Sequence, residues 1–207
     1  MDDIGRVYAF WFGDAPAQDA ATAETKMRRW YMGGASMDGE VRENFGLLVE
    51  RAVRGELDDW AWTPRGRMAL IILLDQFTRN LWRDDPLCYA GDVKAQRLAV
   101  EALDSGLDAQ LSLEERQFLR MPLAHAEDRR LQERNVAETE KMVATVPEAL
   151  RSVYAMSIEQ SRKYHAIIAR YGRFPHRNKV LGRSSTPEEI EFLKDWPAKQ
   201  PPAAMRR

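Results

Sequence analysis

Apolar side chains recur along this chain at three- and four-residue intervals, the spacing of one face of an α-helix, and nowhere in sustained alternation. Ile4, Val7, Tyr8 and Trp11 predict a first helix over 3–12, stopped by Gly13. The small and polar stretch 14–23 reads as a loop, and Met27, Trp30 and Tyr31 mark a short helix over 24–31. Val41, Phe45, Leu48, Val49, Ala52 and Val53 predict a longer one over 37–54, ended by Gly55. After a connector carrying Trp60 and Trp62, Thr63-Pro64 supplies a capping side chain and a proline suited to the first helical position. The helix it opens runs to about Arg83, and its centre, 69–74, is apolar on every side, the mark of a helix buried all round.

Asp84-Asp85-Pro86 interrupts the chain, and a helix over 89–105 follows, closed near Gly106. Ser112 with Glu115 forms a capping box, and the helix it starts is expected to stop or kink at Pro122. Residues 123–144 read as one helix, and a long one runs from Pro147 to about Tyr171. The segment 172–183 has no helical period, and Thr186 with Glu189 forms a second capping box for a last short helix to about Trp196. The prediction is an all-α chain of about eight helices. Short connectors fold consecutive helices into antiparallel hairpins, as a bundle or a short solenoid. One domain over 1–196 and a disordered tail over 197–207 are expected.

Composition narrows the functional classes. The 207 residues carry 31 basic and 32 acidic side chains, a net charge of -1, so no overall field draws the chain to nucleic acid or an anionic membrane. No uncharged apolar run reaches the length of a membrane span, and the acidic start Met1-Asp2-Asp3 lacks the basic and apolar regions of a secretory signal. With Cys88 alone, no intrachain disulfide or thiolate metal site is expected, which fits a cytoplasmic protein. The three histidines, His125, His165 and His176, match no zinc spacing. No phosphate-cradling glycine loop, dinucleotide fingerprint or nucleophile elbow occurs. Neither a metal nor a cofactor is expected.

Three segments could carry chemistry. Asp75 and Arg79 share a face of the buried helix, with Gln76 and Asn80 beside them. They can line a polar cavity, or simply satisfy the rule that buried charges are paired. His125 lies near Glu127, which would hold it charged, but residues two apart on a regular helix point apart, so the two meet only if Pro122 leaves the stretch irregular. From Gln160 to Pro187 the chain has seven basic residues and no Asp or Glu. Arg173, His176, Arg177 and Asn178 fall in one loop there, and Arg183 follows. Guanidinium forks suit carboxylate or phosphate, and the following helix start can add amides. The alternative is that these arginines pair with acids of other helices, for which Glu127, Glu138 and Glu159 are candidates.

Together these segments resemble a known family. Phe10-Trp11-Phe12-Gly13, Leu73-Leu74-Asp75-Gln76-Phe77-Thr78-Arg79-Asn80, Leu123-Ala124-His125-Ala126-Glu127, and Gly172-Arg173-Phe174-Pro175-His176-Arg177-Asn178 with Leu181-Gly182-Arg183 occur in that order in the bacterial domain-of-unknown-function family 924. The likeness spans about residues 4–196, departing at Thr78, where the family usually has Pro, and at Ala126, where it often has Ser. It implies a tetratricopeptide-like helical fold and no established activity.

Three functions remain. The first is a binding protein that takes a small anion or an acidic peptide through the Arg/His-rich loop. Its site would draw on Arg173, His176, Arg177, Asn178 and Arg183, with Asp75, Gln76, Arg79, Asn80 and Glu127. The second is an enzyme on a small anionic substrate with His125 or His176 as general acid or base. The third is a scaffold whose polar clusters serve packing. Convergence of histidines and arginines in one cleft favours the second, an open arginine-lined groove the first, and internal carboxylate partners for every arginine the third. The oligomeric state is left open.

Overall fold

A computed structural model describes residues 1–196, and the tail whose disorder is expected, 197–207, lies outside the described residues. Helices α1 (Asp3–Phe12), α2 (Ala20–Met32) and α3 (Gly34–Val53) come first in the chain. Helix α4 comprises Pro64–Ile71, a π-helical stretch Ile72–Phe77 and a last turn Thr78–Leu81. Then follow α5 (Asp92–Asp104), α6 (Leu113–Ala124), α7 (Arg129–Ala144), α8 (Arg151–Tyr154 continuing as Met156–Tyr171) and α9 (Pro187–Asp195). No strand occurs among the described residues.

The starts and stops follow the local chemistry. Asp2 accepts from the Gly5 N–H at 2.8 Å, and Thr63 accepts from the Gly66 N–H at 3.1 Å. Both capping boxes form, Ser112 with Glu115 and Thr186 with Glu189. Gly13, Gly106 and Gly172 take positive φ where helices end. The all-apolar α4 is enclosed as its sequence demands, with Met68 to Leu74 at 0% exposure. Around it α1, α3, α5 and α6 contribute the main core, in which Phe118 meets Trp11 at 5.1 Å and Trp30 at 4.8 Å. A second apolar cluster joins α2 to the end of α7 and the start of α8, and a third lies under Ile167, Ile168 and Phe174.

Four boundaries differ from the sequence pattern. Helix α2 begins at Ala20 because Asp19 caps it, accepting from the Thr22 N–H at 2.8 Å, so the loop before it is shorter. What reads as a continuous start to α8 is interrupted, with a 3-10 turn at Glu148–Leu150 and a break in the helix at Ala155. Pro122 does not stop α6 on the spot, since the helix continues to Ala124. Its missing N–H falls in the last turn, which other bonds hold. The His125 N–H donates to the Met121 carbonyl at 3.0 Å, and the Gln132 amide donates to the carbonyls of Leu123, Ala124 and Ala126 at 2.8–3.1 Å. Finally, 123–144 is two elements, because Asp128 caps α7 and accepts from the Leu131 N–H at 2.9 Å. The result is a tight hairpin, α6 against α7, with His125 at its turn.

Candidate functional site

The π-helical stretch of α4 carries Asp75 and Gln76, and insertion of such a turn rotates the residues after it relative to those before. Its wall is approached by Gly91, just ahead of α5. A Cβ on Gly91 would sit 2.3 Å from the Leu74 carbonyl oxygen, so only glycine lets α5 come this close. That approach brings Asp92, in the first turn of α5, against Arg79. The Arg79 guanidinium donates to both Asp92 oxygens, at 2.8 and 3.0 Å, and to the Asp75 carbonyl at 2.6 Å.

Asp75 is wholly buried and accepts from His125 Nδ1 at 2.8 Å and from the Gln76 amide at 2.5 Å. Burial works to raise the Asp75 carboxyl, but the charges of His125 and Arg79 and these hydrogen bonds outweigh it and hold the group down at about 2. The imidazole partner of His125 is therefore Asp75, fifty residues away, and Glu127 does not play that part. The expectation that a carboxylate keeps His125 charged is also reversed. Burial first, and the nearby Arg79 second, push the imidazole below its ordinary value despite Asp75. With Nδ1–H directed at Asp75, Nε2 carries the lone pair.

His125 lines a cavity of about 280 Å³ together with Arg79, Arg83, Cys88, Tyr89, Tyr164, His176 and Arg177. The short turn Pro175–Arg177 supplies the last two. Arg177 is buried, donates to the His125 carbonyl at 2.8 Å, and lies between the faces of Tyr89 and Phe174, at 4.6 and 4.7 Å. Its nearest carboxylate is Asp92 at 3.6 Å, already clamped by Arg79. Burial and the like charge of Arg79 lower the Arg177 guanidinium from its usual value, and Asp92 does not restore it. His176 stacks on Trp196 at 4.9 Å, and burial and Arg177 push its imidazole down to about 4.

Two other arginines of the basic segment, Arg173 and Arg183, are committed to acids of the chain. Arg173 forks onto Glu189 at 2.7 and 2.8 Å, a carboxylate that also accepts from Asn178 at 3.2 Å. Arg183 forks onto Glu127 at 2.6 and 2.9 Å, and Glu127 also accepts from the Phe174 N–H at 2.8 Å. Of the acids considered as partners, Glu127 takes that role, whereas Glu138 pairs with Lys141. Asn80 donates to Asp38, which also pairs with Arg83. The predicted residues thus separate into two groups. Arg79, His125, His176 and Arg177 line the cavity, with Asp75 directly behind His125. Asn80, Glu127, Arg173, Asn178 and Arg183 brace the loops around it, and Gln76 steadies Asp75.

Sequence reasoning missed Asp92, Tyr89 and Tyr164. Asp92 carries a faint signal, as an acid in a first turn preceded by glycine, while the aromatic walls carry none. Among the described residues no three His, Cys, Asp or Glu side chains gather as a metal site, and no helix is long and apolar enough to cross a membrane.

The model of a family described as bacterial protein of unknown function, DUF924, matches residues 7–196. A solved structure of a protein of unknown function from Agrobacterium tumefaciens is similar at 30% identity and a TM-score of 0.76, covering 93% of this chain and 97% of that one. A search of curated proteins finds no match.

Proposed function

The chain belongs to the bacterial family of unknown function DUF924, and from that premise we propose that its cavity binds a small molecule through an anionic group held by Arg177 and Arg79. The observation that carries this reading is the state of Arg177. It is a buried guanidinium beside a second one, with its nearest carboxylate, Asp92, clamped by that neighbour and the next, Glu127, forked by Arg183. A carboxylate or phosphate on a ligand would supply the missing charge with the fork geometry arginine favours. A cavity of about 280 Å³ lies at the low end of small-ligand sites, which favours a metabolite over an acidic peptide.

The test is a thermal-shift panel of small carboxylates and phosphate esters at millimolar concentration. We expect at least one to raise Tm by several degrees in the native chain and not in Arg177→Met. A flat response across the panel would overturn the reading.

A second reading, favoured by the Asp75–His125 contact, adds catalysis. Asp75 fixes the tautomer, so Nε2 of His125 can take a proton from a hydroxyl or a water at the ligand, and Asp75 then stabilises the imidazolium. His176 stacks on Trp196 and has no carboxylate hydrogen-bonded to its ring among the described residues, so it is the less well oriented base. Any panel compound consumed on incubation, followed by NMR, should persist with His125→Gln while still raising Tm. Unchanged turnover would remove His125 from the chemistry.

A further inference from the structure

Seven charged side chains are buried among the described residues, and six of them meet an opposite charge within ion-pair distance. The seventh is Arg120, on the face of α6 that packs against α7. No carboxylate of the described residues pairs with it, and residues 197–207 contain no Asp or Glu. Its Nη1 donates to Thr139 Oγ1 at 2.7 Å, while its buried Nε has no acceptor. Burial pushes the guanidinium down to about 10, so it stays charged at neutral pH. An isolated charge in such a place costs several kcal/mol unless something compensates it.

The surroundings share this imbalance. Arg116, one turn earlier on α6, is a like charge on the same face and donates to Thr145 at 3.0 Å, with no acid beside it. Across the hairpin, Asn135 lies one turn from Thr139, and both polar atoms of its buried side chain are without partners. Gln117, one turn from Arg120, has an unpartnered Oε1, and its amide donates to the Tyr31 hydroxyl at 2.6 Å, which leaves the phenol proton free. Tyr154 also lies within electrostatic reach of Arg120. Two cations, two amides and phenol hydroxyls thus gather about one seam, with Arg120 at its buried end and Arg116 toward solvent.

We propose that the α6–α7 seam is a second binding site, for a compact monoanion, a halide or the carboxylate of a small organic acid, held by Arg120 with Asn135 and Tyr31. Tyr31 also feels the charge of Asp75, so the seam neighbours the cavity over His125, but its buried cation is a different one. The buried end of the seam holds one positive charge, Arg120, with Arg116 toward solvent, which matches a ligand of single negative charge.

The test uses the native chain in sodium gluconate, a bulky anion, with bromide or formate substituted at constant ionic strength. One or both should raise Tm by several degrees. Arg120→Met should lose the response and Arg177→Met should keep it, which separates this site from the cavity. Crystals grown in bromide should show its anomalous signal beside Arg120. A response to formate without one to bromide identifies a carboxylate site, seen as formate at the same place. Where Arg120→Met does not fold, the crystals decide alone. If neither salt moves Tm and neither ion is found at Arg120, the proposal fails.

Discussion

Two sets of arginines, drawn from nearly the same stretch of chain, end in opposite electrostatic situations. Arg173 and Arg183 each close a two-pronged bond onto a carboxylate, Glu189 and Glu127, and knit the loop between α8 and α9 to the rest of the molecule. Arg177, four residues from Arg173, turns the other way into the cavity wall, where at 3.6 Å it shares Asp92 with Arg79, which clamps that carboxylate more closely. A run of basic residues therefore says little about where an anion binds. What matters is which guanidinium the fold leaves without a committed acid. The first pair should behave as structure and Arg177 as function, and the difference can be broken by substitution.

The largest effect is expected at the buried carboxylate behind the cavity, which holds His125 and lies beside Arg79. Asp75→Asn leaves His125 without its carboxylate partner and Arg79 with Asp92 as its remaining buried acid, and should lower stability by about 3 kcal/mol in chemical denaturation. A loss within experimental error would mean that Asp92 alone suffices for Arg79. Next comes the loop side. Arg183→Met removes two charge-assisted hydrogen bonds from Glu127 and should cost about 2 kcal/mol, with no change in ligand response.

Acid should act more weakly, and its sign follows from the histidines. The folded state holds His176 down at about 4 and His125 below 6.5, so the unfolded chain binds more protons below that pH. Their contribution is intact above 6.5 and is lost as pH falls toward about 4. Because the His176 ring is partly open to solvent, its share is screened to about 1 kcal/mol. Tm should fall between those limits, and His176→Phe, which keeps the stack on Trp196, should flatten the fall. An unchanged slope would assign the acid sensitivity elsewhere.

The helical scaffold was legible because its signals are local. Thr63-Pro64, the two capping boxes and the all-apolar centre of α4 each act within a few residues, and each forms as read. The site was legible only as a set of candidates. Nothing near His125 in sequence points to Asp75, because their meeting depends on the α6–α7 hairpin, the π-helical stretch and the close approach at Gly91. Glu127 was the nearer acid in sequence, yet it serves Arg183. Pro122 misleads for a related reason, since its missing bond falls where Gln132, from another helix, supplies the capping.

The smallest structural effect carries the most weight. Arg177→Met replaces an under-compensated buried charge by an apolar side chain of similar length, so its cost should stay within about 1 kcal/mol. Titration of the strongest carboxylate or phosphate ligand from the panel against native, Arg177→Met and Arg183→Met chains is the most direct measurement. Arg177→Met should bind at least tenfold more weakly at nearly unchanged Tm, and Arg183→Met should bind as the native chain does at lowered Tm. Equal affinity in the native and Arg177→Met proteins would contradict the account.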